Sequence, residues 1–255
     1  MIRPLYLDAA IPWQVRLDDG PTLNVSAPGR ARSLYPLRRR ARVLSPCGAQ
    51  WSTEALLACL RHGVPIVFHD SAGEPVGWCF GPRKRETTLT GLIREALDQP
   101  NWAEIFGTWE RATHRREILG VLRGLGVSSR SLEPTAVRAR LCNLHRIRFG
   151  RPARAWINAL CRASAALVAE HLHGAVGDPA LIGFAREGLH LARTTSGLLE
   201  WRLHRILHAQ PAAELDGALP DRFAAAMAGR HATGLSRACG ELIGSLEHHL
   251  RERLT

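Results

Sequence analysis

Three ionisable side chains near residue 200 are spaced so that they could act together on one ligand. Glu200, His204 and His208 follow one another at four-residue intervals. In a helix of 3.6 residues per turn, positions i, i+4 and i+8 lie on one face. One carboxylate and two imidazoles on one face could bind a divalent metal ion. The same spacing is typical of an amphipathic helix whose polar face lies in water, and both interpretations stay open.

Other familiar catalytic patterns are missing from the sequence. The six cysteines include no C-x-x-C pair, and the pattern favours buried, reduced thiols over a zinc site. No G-x-S-x-G motif predicts a serine nucleophile, and no P-loop or G-x-G-x-x-G motif predicts a nucleotide site. These sequence patterns therefore give no support to nucleophilic hydrolysis, phosphate-loop chemistry or dinucleotide chemistry.

Positive charge is concentrated in the middle of the chain. The net charge is +11, and 33 of the 34 basic residues are arginine. Residues 101–175 contain 12 basic and 5 acidic side chains, whereas residues 176–255 contain 9 of each. A coding bias explains the preference for arginine over lysine, but it does not explain the scarcity of acids in one segment. The distribution indicates a protein that binds a polyanion.

The apolar periodicity changes near residue 86. Before it, short alternating patterns predict strands, and residues 52–63 predict one helix capped by Ser52. From Glu86 onward, apolar residues recur with the helical period. We therefore expect an α+β fold, with an antiparallel β domain containing one helix over residues 1–85 and an all-α domain over residues 86–255.

Two features of the sequence predict where the protein resides. It contains no run of 18 or more apolar residues, which a membrane-spanning helix would need. Its first residues, "MIRPLYLDAA", lack the continuous apolar core of a signal peptide. We expect a cytoplasmic protein with no membrane association.

Four stretches, in this order, are similar to one known family. "WSTEALLACLRHGVPIVFHDSAGEPVGW" (51–78) has a helix, a strand ending in Asp and a glycine-containing return strand. "RPARAWINALCRASAALVAEHL" (151–172) contains an Asn-Ala-Leu helix motif with Asn158 as its Asn. "DPALIGFAREG" (178–188) and "SGLLE" (196–200) follow as a turn and a helix start. Over roughly residues 4–207, the sequence resembles the CRISPR adaptation integrases, the Cas1 family.

The resemblance implies a role in spacer acquisition, a part of CRISPR antiviral defence. It implies a homodimer that pairs with a small Cas2-like protein, holds a short prespacer of double-stranded DNA and inserts it into the CRISPR array. It further implies a metal-dependent DNA endonuclease or integrase. In such an enzyme, Mg²⁺ or Mn²⁺ stabilises charge on the phosphate and activates the attacking 3′ hydroxyl.

The metal ligands implied by the resemblance are mostly replaced. The family's His falls on Arg186 and its first acid of the later helix on Gly197, so that Glu200 alone matches a ligand position. The family's remaining Glu lies on an earlier helix, and residues 140–150 contain no acid. Arginine has no lone pair for a cation but attracts phosphate. We expect Glu200 to be the one remaining catalytic and metal-binding residue, with the chemistry weakened or lost.

The resemblance also implies a basic DNA-binding surface, on which phosphate contacts give affinity without reading the base sequence. The candidates are Arg83, Lys84, Arg85, Arg140, Arg146, Arg148, Arg151 and Arg186. Two functions remain open at this point. One is a Cas1-like adaptation protein with weakened or lost chemistry, and the other is a non-catalytic DNA-binding scaffold subunit that works with an active integrase.

Overall fold

Strands fill the first third of the chain and helices fill most of the rest. The computed structural model describes residues 3–70, 75–81, 87–129, 131–150, 152–182, 185–186, 189–211 and 220–254. The order of strands and then helices confirms the α+β class. The division into domains at residue 85 stays a prediction, because residues 82–86 lie outside the described ranges.

The strands and helices have the following bounds. The strands are β1 (Arg3–Tyr6), β2 (Gln14–Asp18), β3 (Thr22–Ser26), β4 (Ser33–Pro36), β5 (Arg40–Pro46), β6 (Gln50–Trp51), β7 (Ile66–His69), β8 (Pro75–Cys79), β9 (Ala185–Arg186) and β10 (Leu189–His190). The helices are α1 (Thr53–Arg61), α2 (Thr88–Leu97), α3 (Trp102–Gly124), α4 (Pro134–Phe149), α5 (Ala153–Val176), α6 (Pro179–Ile182), α7 (Leu191–His208), α8 (Pro220–Arg230) and α9 (Ala232–Leu254). None of the helices in the described ranges is long and apolar enough to cross a membrane.

The first sheet, in the order β1-β5-β7-β8, is mixed and not antiparallel. β1 and β5 pair in parallel, as do β5 and β7, and only β7 and β8 run antiparallel. Parallel neighbours need a crossover connection, and the connection from β5 to β7 contains α1. Ser52 caps this helix as predicted, by accepting a hydrogen bond from the amide of Ala55 at 3.2 Å. The expectation of an antiparallel β domain is therefore wrong for two of the three strand pairs in this sheet.

The second sheet, in the order β4-β3-β2-β6, is closer to the expected pattern. β2, β3 and β4 form an antiparallel meander, while the short β6 joins β2 in parallel. Alternate side chains such as Val15, Leu23 and Val25 are buried, as the apolar alternation predicts. Gly20, with φ of 68°, allows the tight turn between β2 and β3.

Helix α5 lies at the centre of the helical region and also contacts the first sheet. Its buried residues include Trp156 and Leu160, which belong to the main helical core. Ala165, Ala166 and Ala169 pack against Leu44 of β5 and Val67 of β7. Alanine side chains are short, so the sheet and the helix can approach closely here.

An ion pair joins the same sheet to the same helix. Arg42 of β5 contacts the carboxylate of Glu170 on α5, and its side chain is only 8% exposed. Its Nη2 atom also donates a hydrogen bond to the hydroxyl of Tyr6 at 3.4 Å. Burial alone would lower the pKa of Arg42, but Tyr6 and Glu170 outweigh burial and raise it. The cation is therefore stabilised by contacts with both β1 and α5.

Replacing Glu170 with alanine tests this connection. Glu170→Ala leaves a buried guanidinium without its carboxylate, so we expect the free energy of unfolding to fall by about 1–3 kcal/mol. Urea denaturation measures the change. Glu252→Ala is the control, because Glu252 pairs with His248 on the open surface of α9 and its loss should change stability by less than about 0.5 kcal/mol. Equal losses in the two variants would contradict the interpretation.

Candidate functional site

The candidate site lies between helices α4 and α7. Helix α4 begins at Pro134, which suits a first turn, and Glu133 caps it by accepting a hydrogen bond from a first-turn amide at 2.7 Å. Val137 and Leu141 of α4 pack with Trp201 of α7 in one buried cluster. This apolar contact holds the polar residues beside it at fixed positions.

Helix α7 begins at Leu191, before the helix start that the sequence indicated at residues 196–200. His190 caps it, because its Nδ1 accepts a hydrogen bond from the amide of Arg193 at 3.3 Å. Glu200 therefore lies in the third turn, well inside the helix. Gly197 lies one turn before Glu200 and brings no side chain to the site.

The carboxylate of Glu200 is bound by an arginine of the other helix. Arg138 Nε of α4 donates hydrogen bonds to both Oε1 and Oε2 of Glu200, each at 2.9 Å. On the other side, His204 Nε2 lies 3.6 Å from Oε1. The side chain of Glu200 is 18% exposed. Its main partner is therefore a guanidinium that no sequence pattern identified.

Arg138 is itself held by an aromatic ring. Its guanidinium carbon lies 5.0 Å from the centre of the Trp201 ring, a distance typical of a cation–π contact. Trp201 is fully buried, and its indole nitrogen donates a hydrogen bond to Nδ1 of His114 at 2.9 Å. Helix α3, which carries His114, thus supports the ring against which Arg138 lies.

These contacts lower the pKa of Glu200. Burial, which is the largest influence, acts to raise it. Hydrogen bonds and charges from His204 and Arg138 outweigh burial, so the pKa lies below its ordinary value and the group stays ionised. Glu200 is thus a partly buried carboxylate whose charge is compensated by side chains of the same chain.

The described residues do not fit a Mg²⁺ or Mn²⁺ ion at this place. Such ions need several oxygen ligands, and both oxygens of Glu200 already accept hydrogen bonds from Arg138. Within the described ranges, no three His, Cys, Asp or Glu side chains come together to hold a metal. Helix α4 contains no Asp or Glu, and the nearby thiol of Cys142 has a pKa raised by burial and by the carboxylate of Glu200. No metal-dependent step can be derived from these residues.

The predicted histidine face of α7 exists, but it does not lie in water. His204 is fully buried, and its Nδ1 lies 3.0 Å from Nε2 of His145 on α4. The two rings are stacked, with centres 5.2 Å apart, and the ring of His208 lies 5.8 Å from that of His145. The interpretation as a solvated polar face is therefore wrong for His204, whose neighbours are imidazole and carboxylate.

Burial lowers the pKa values of two of these imidazoles, His145 and His208. The pKa of His145 is lowered to about 3 by burial and by His204, His208 and Arg148. Burial, and to a smaller extent Arg148, lowers the pKa of His208. A neutral His145 can share one proton with His204, whereas two cationic rings at this distance would repel each other. His145 lies four residues after Leu141 on the buried stripe of α4, and that periodicity is the one sequence signal that points to it.

The basic candidates on α4 are exposed but do not form one row. Arg140, Arg146 and Arg148 are all exposed. Arg146 and Arg148, two residues apart, project about 160° away from each other around the helix. Arg146 bonds to Asn143 at 2.9 Å, while Arg148 reaches the carbonyl oxygen of Gln210 at 3.5 Å and covers the ring of its neighbour Phe149. Cationic groups thus lie on two sides of α4.

The remaining candidates are not described in full. The backbone of Arg186 belongs to β9, which pairs with β10 in a short antiparallel hairpin just before α7. The side chain of Arg186 lies outside the described part of the structure. The other basic candidates that lie outside the described residues are Arg83, Lys84, Arg85 and Arg151.

The buried imidazole predicts how stability depends on pH. The folded-state pKa of His145 lies below that of the unfolded chain, so its stabilising effect is complete above pH 6.5 and is lost as the pH falls from 6.5 toward 3. The lowered pKa of Glu200 adds a loss in the same direction below its ordinary value of 4.5. We expect urea denaturation to show the free energy of unfolding falling by up to about 1.4 kcal/mol per pH unit from this one imidazole.

His145→Gln should flatten that dependence, because glutamine does not titrate and can still bond to His204. His248→Gln is the control, since His248 is 74% exposed on α9. Parallel stability curves for the wild-type protein and His145→Gln between pH 7 and pH 4 would contradict the prediction.

Comparison with solved structures gives the fold a known counterpart. The chain is similar to "TM1797, a CAS1 protein from Thermotoga maritima", with a TM-score of 0.69 over 97% of each chain at 13% sequence identity. It is also similar to the protein of a "TtCas1-DNA complex", with a TM-score of 0.57 at 13% identity over 95% of this chain and 91% of that one.

A third structure places the same fold inside a larger protein. It is a "Cas6-RT-Cas1--Cas2 complex", which the chain matches with a TM-score of 0.51 at 12% identity, over 97% of this chain and 35% of that one. No family model matches the sequence, and no curated protein matches it either. The likeness therefore resides in the three-dimensional arrangement: the chain has the fold of the Cas1 proteins.

Proposed function

We propose that this chain is a Cas1-like protein of CRISPR adaptation that binds short double-stranded prespacer DNA for integration into a CRISPR array. The observation that carries the proposal is the Cas1 fold along 97% of the chain. Two of the similar structures were solved with DNA or with Cas2, which supports the same two partners here. We further propose a cytoplasmic homodimer that works with a small Cas2-like protein.

The charge distribution supports DNA as the partner. Helix α4 presents Arg140, Arg146 and Arg148 to solvent, next to the site between α4 and α7. The whole segment 101–175 has a surplus of 7 positive charges. Guanidinium groups on an exposed helix suit contacts with a phosphate backbone, which require no particular base sequence.

The chemistry we propose is limited by the contact between Arg138 and Glu200. The one carboxylate that matches a family ligand is bound through both oxygens to a guanidinium. Metal-dependent strand transfer by this chain alone is then weak or absent. Among the described residues, nothing favours the other expectation, a scaffold subunit that needs an active integrase, over this proposal.

An integration assay tests the proposal directly. A labelled short duplex is incubated with a supercoiled plasmid carrying a CRISPR array, with this protein alone or with a Cas2-like protein, in Mn²⁺ or EDTA. We expect intact duplex binding with little or no integrated product in either condition. Product that forms in Mn²⁺ and disappears in Glu200→Ala would show that the site retains metal chemistry. A protein that does not bind the duplex even at low salt would refute the proposed function.

A charge-matched pair of variants tests the DNA surface. Replacing Arg140, Arg146 and Arg148 together with alanine should weaken duplex binding at fixed salt. It should also make the plot of the logarithm of the binding constant against log[salt] less steep, by roughly 0.9 for each phosphate that the variant no longer neutralises. Fluorescence anisotropy in a salt series measures both quantities, and EDTA should change neither.

The control removes three exposed arginines from other elements, Arg16 of β2, Arg61 of α1 and Arg253 of α9. It carries the same net charge as the α4 variant. Equal reductions of affinity in the two triple variants would mean that only total charge matters, and that α4 is not the binding surface.

A further inference from the structure

We propose that Arg138 is the resident counter-ion of Glu200, an internal cation in the role that a divalent metal would otherwise fill. The ion pair then stabilises the contact between α4 and α7, to a degree that neither residue achieves without the other. The inference deepens the proposed loss of metal chemistry at this site. It rests on the contacts between the two helices and does not depend on DNA binding.

The geometry restrains Arg138 from two directions. Its Nε atom bonds to both oxygens of Glu200 at 2.9 Å, and its guanidinium plane carries a cation–π contact to Trp201 at 5.0 Å. Trp201 cannot move aside easily, because it is fully buried and bonded to His114. A guanidinium fixed between a carboxylate and an aromatic ring is pre-organised, so little side-chain entropy is lost when the contact forms.

The surroundings of Glu200 favour a monovalent cation over a metal ion. Because the Nε–H of Arg138 is shared between both carboxylate oxygens, a metal would have to displace Arg138 or lie beside its positive charge. The next polar group along α7 is the Nε2 of His204. The other ring nitrogen of His204, Nδ1, shares a hydrogen bond with Nε2 of His145. The Cys142 thiol has a raised pKa and stays protonated, so it is a poor ligand. The Nε2 of His204 is buried and has no hydrogen-bond partner among the described residues, but one imidazole nitrogen beside a carboxylate that already faces a guanidinium does not supply the oxygen ligands of a Mg²⁺ or Mn²⁺ site.

This arrangement makes the two residues depend on each other. The side chain of Glu200 is 18% exposed and that of Arg138 is 36% exposed, so removal of one partner leaves a charge with limited access to water. Removal of both charges at once leaves neither group unpaired, and apolar replacements can pack beside the buried cluster that contains Leu141 and Trp201. A metal ligand would behave differently, because its loss would matter only in the presence of the metal.

A double-mutant cycle measures this dependence. The variants are Arg138→Met, Glu200→Leu and the two combined, each unfolded in urea in the presence of EDTA. We expect each single replacement to raise the unfolding equilibrium constant roughly ten- to a hundredfold, with the double variant recovering most of that loss. The control cycle, Arg251→Met with Glu247→Leu, uses an exposed pair on α9 and should show almost no coupling.

Milder replacements keep the test decisive if a single variant does not fold. Glu200→Gln keeps the shape of the side chain and removes its charge, and Arg138→Lys keeps the charge but loses the planar group that bonds and stacks. Both should be less stable than the wild-type protein. Additive losses in the cycle, or an unchanged stability of Glu200→Gln, would overturn the proposal.

A metal titration completes the test. The melting temperature of the wild-type protein should be the same in Mn²⁺ and in EDTA. A rise in Mn²⁺ that vanishes in Glu200→Leu would identify Glu200 as a metal ligand and overturn the proposal. Duplex binding by the wild-type protein is measured in parallel, since phosphate contacts are assigned to exposed arginines. If the wild-type protein does not bind DNA, the proposed function fails, while the unfolding cycle still decides the role of Arg138.

Discussion

The packing of the first sheet against α5 is the contact on which the rest of the structure depends. The alanine face of α5 lets β5 and β7 approach closely, and the pair of Arg42 with Glu170 fixes the position of that contact. The remaining faces of α5 are buried against α7, α8 and α9. Helix α4 leads directly into α5, and α7 packs along it, so the relative positions of Arg138 and Glu200 follow from this central helix.

The site between α4 and α7 depends on compensation of one carboxylate charge. A partly buried carboxylate needs a compensating positive charge, because desolvation of an isolated ion is costly. A bound metal can supply that charge, and so can a side chain of the same protein. Here Arg138 does so, at a distance of 2.9 Å and against the ring of Trp201. The carboxylate of Glu200 thereby stabilises the contact between α4 and α7.

Local patterns in the sequence were sufficient for much of this fold. Alternation predicted β2 and β3, the helical period predicted the core helix α5, and Ser52 marked the start of α1. The parallel pairing in the first sheet was missed, because strand direction is set by crossover connections and tertiary packing, which leave no periodic signal. The α+β class was nevertheless predicted correctly, because it depends only on where strands and helices occur along the chain.

The candidate site could be predicted only in part. The four-residue spacing placed Glu200 and His204 on one face, which the structure confirms. Their partners, Arg138 and His145, lie about sixty positions away on another helix, where no local pattern links them. Charge alone did not reveal Arg138 either, since it is one arginine among many in a basic segment.

The distance along the chain between Arg42 and Glu170 has a consequence for biosynthesis. The two residues are 128 positions apart. During translation at about 5–20 residues per second, the apolar face of the first sheet therefore waits on the order of ten seconds for the helix that covers it. For that interval Leu44 and Val67 lack their native neighbours, and the partly synthesised chain exposes apolar strand surface of the kind that favours aggregation.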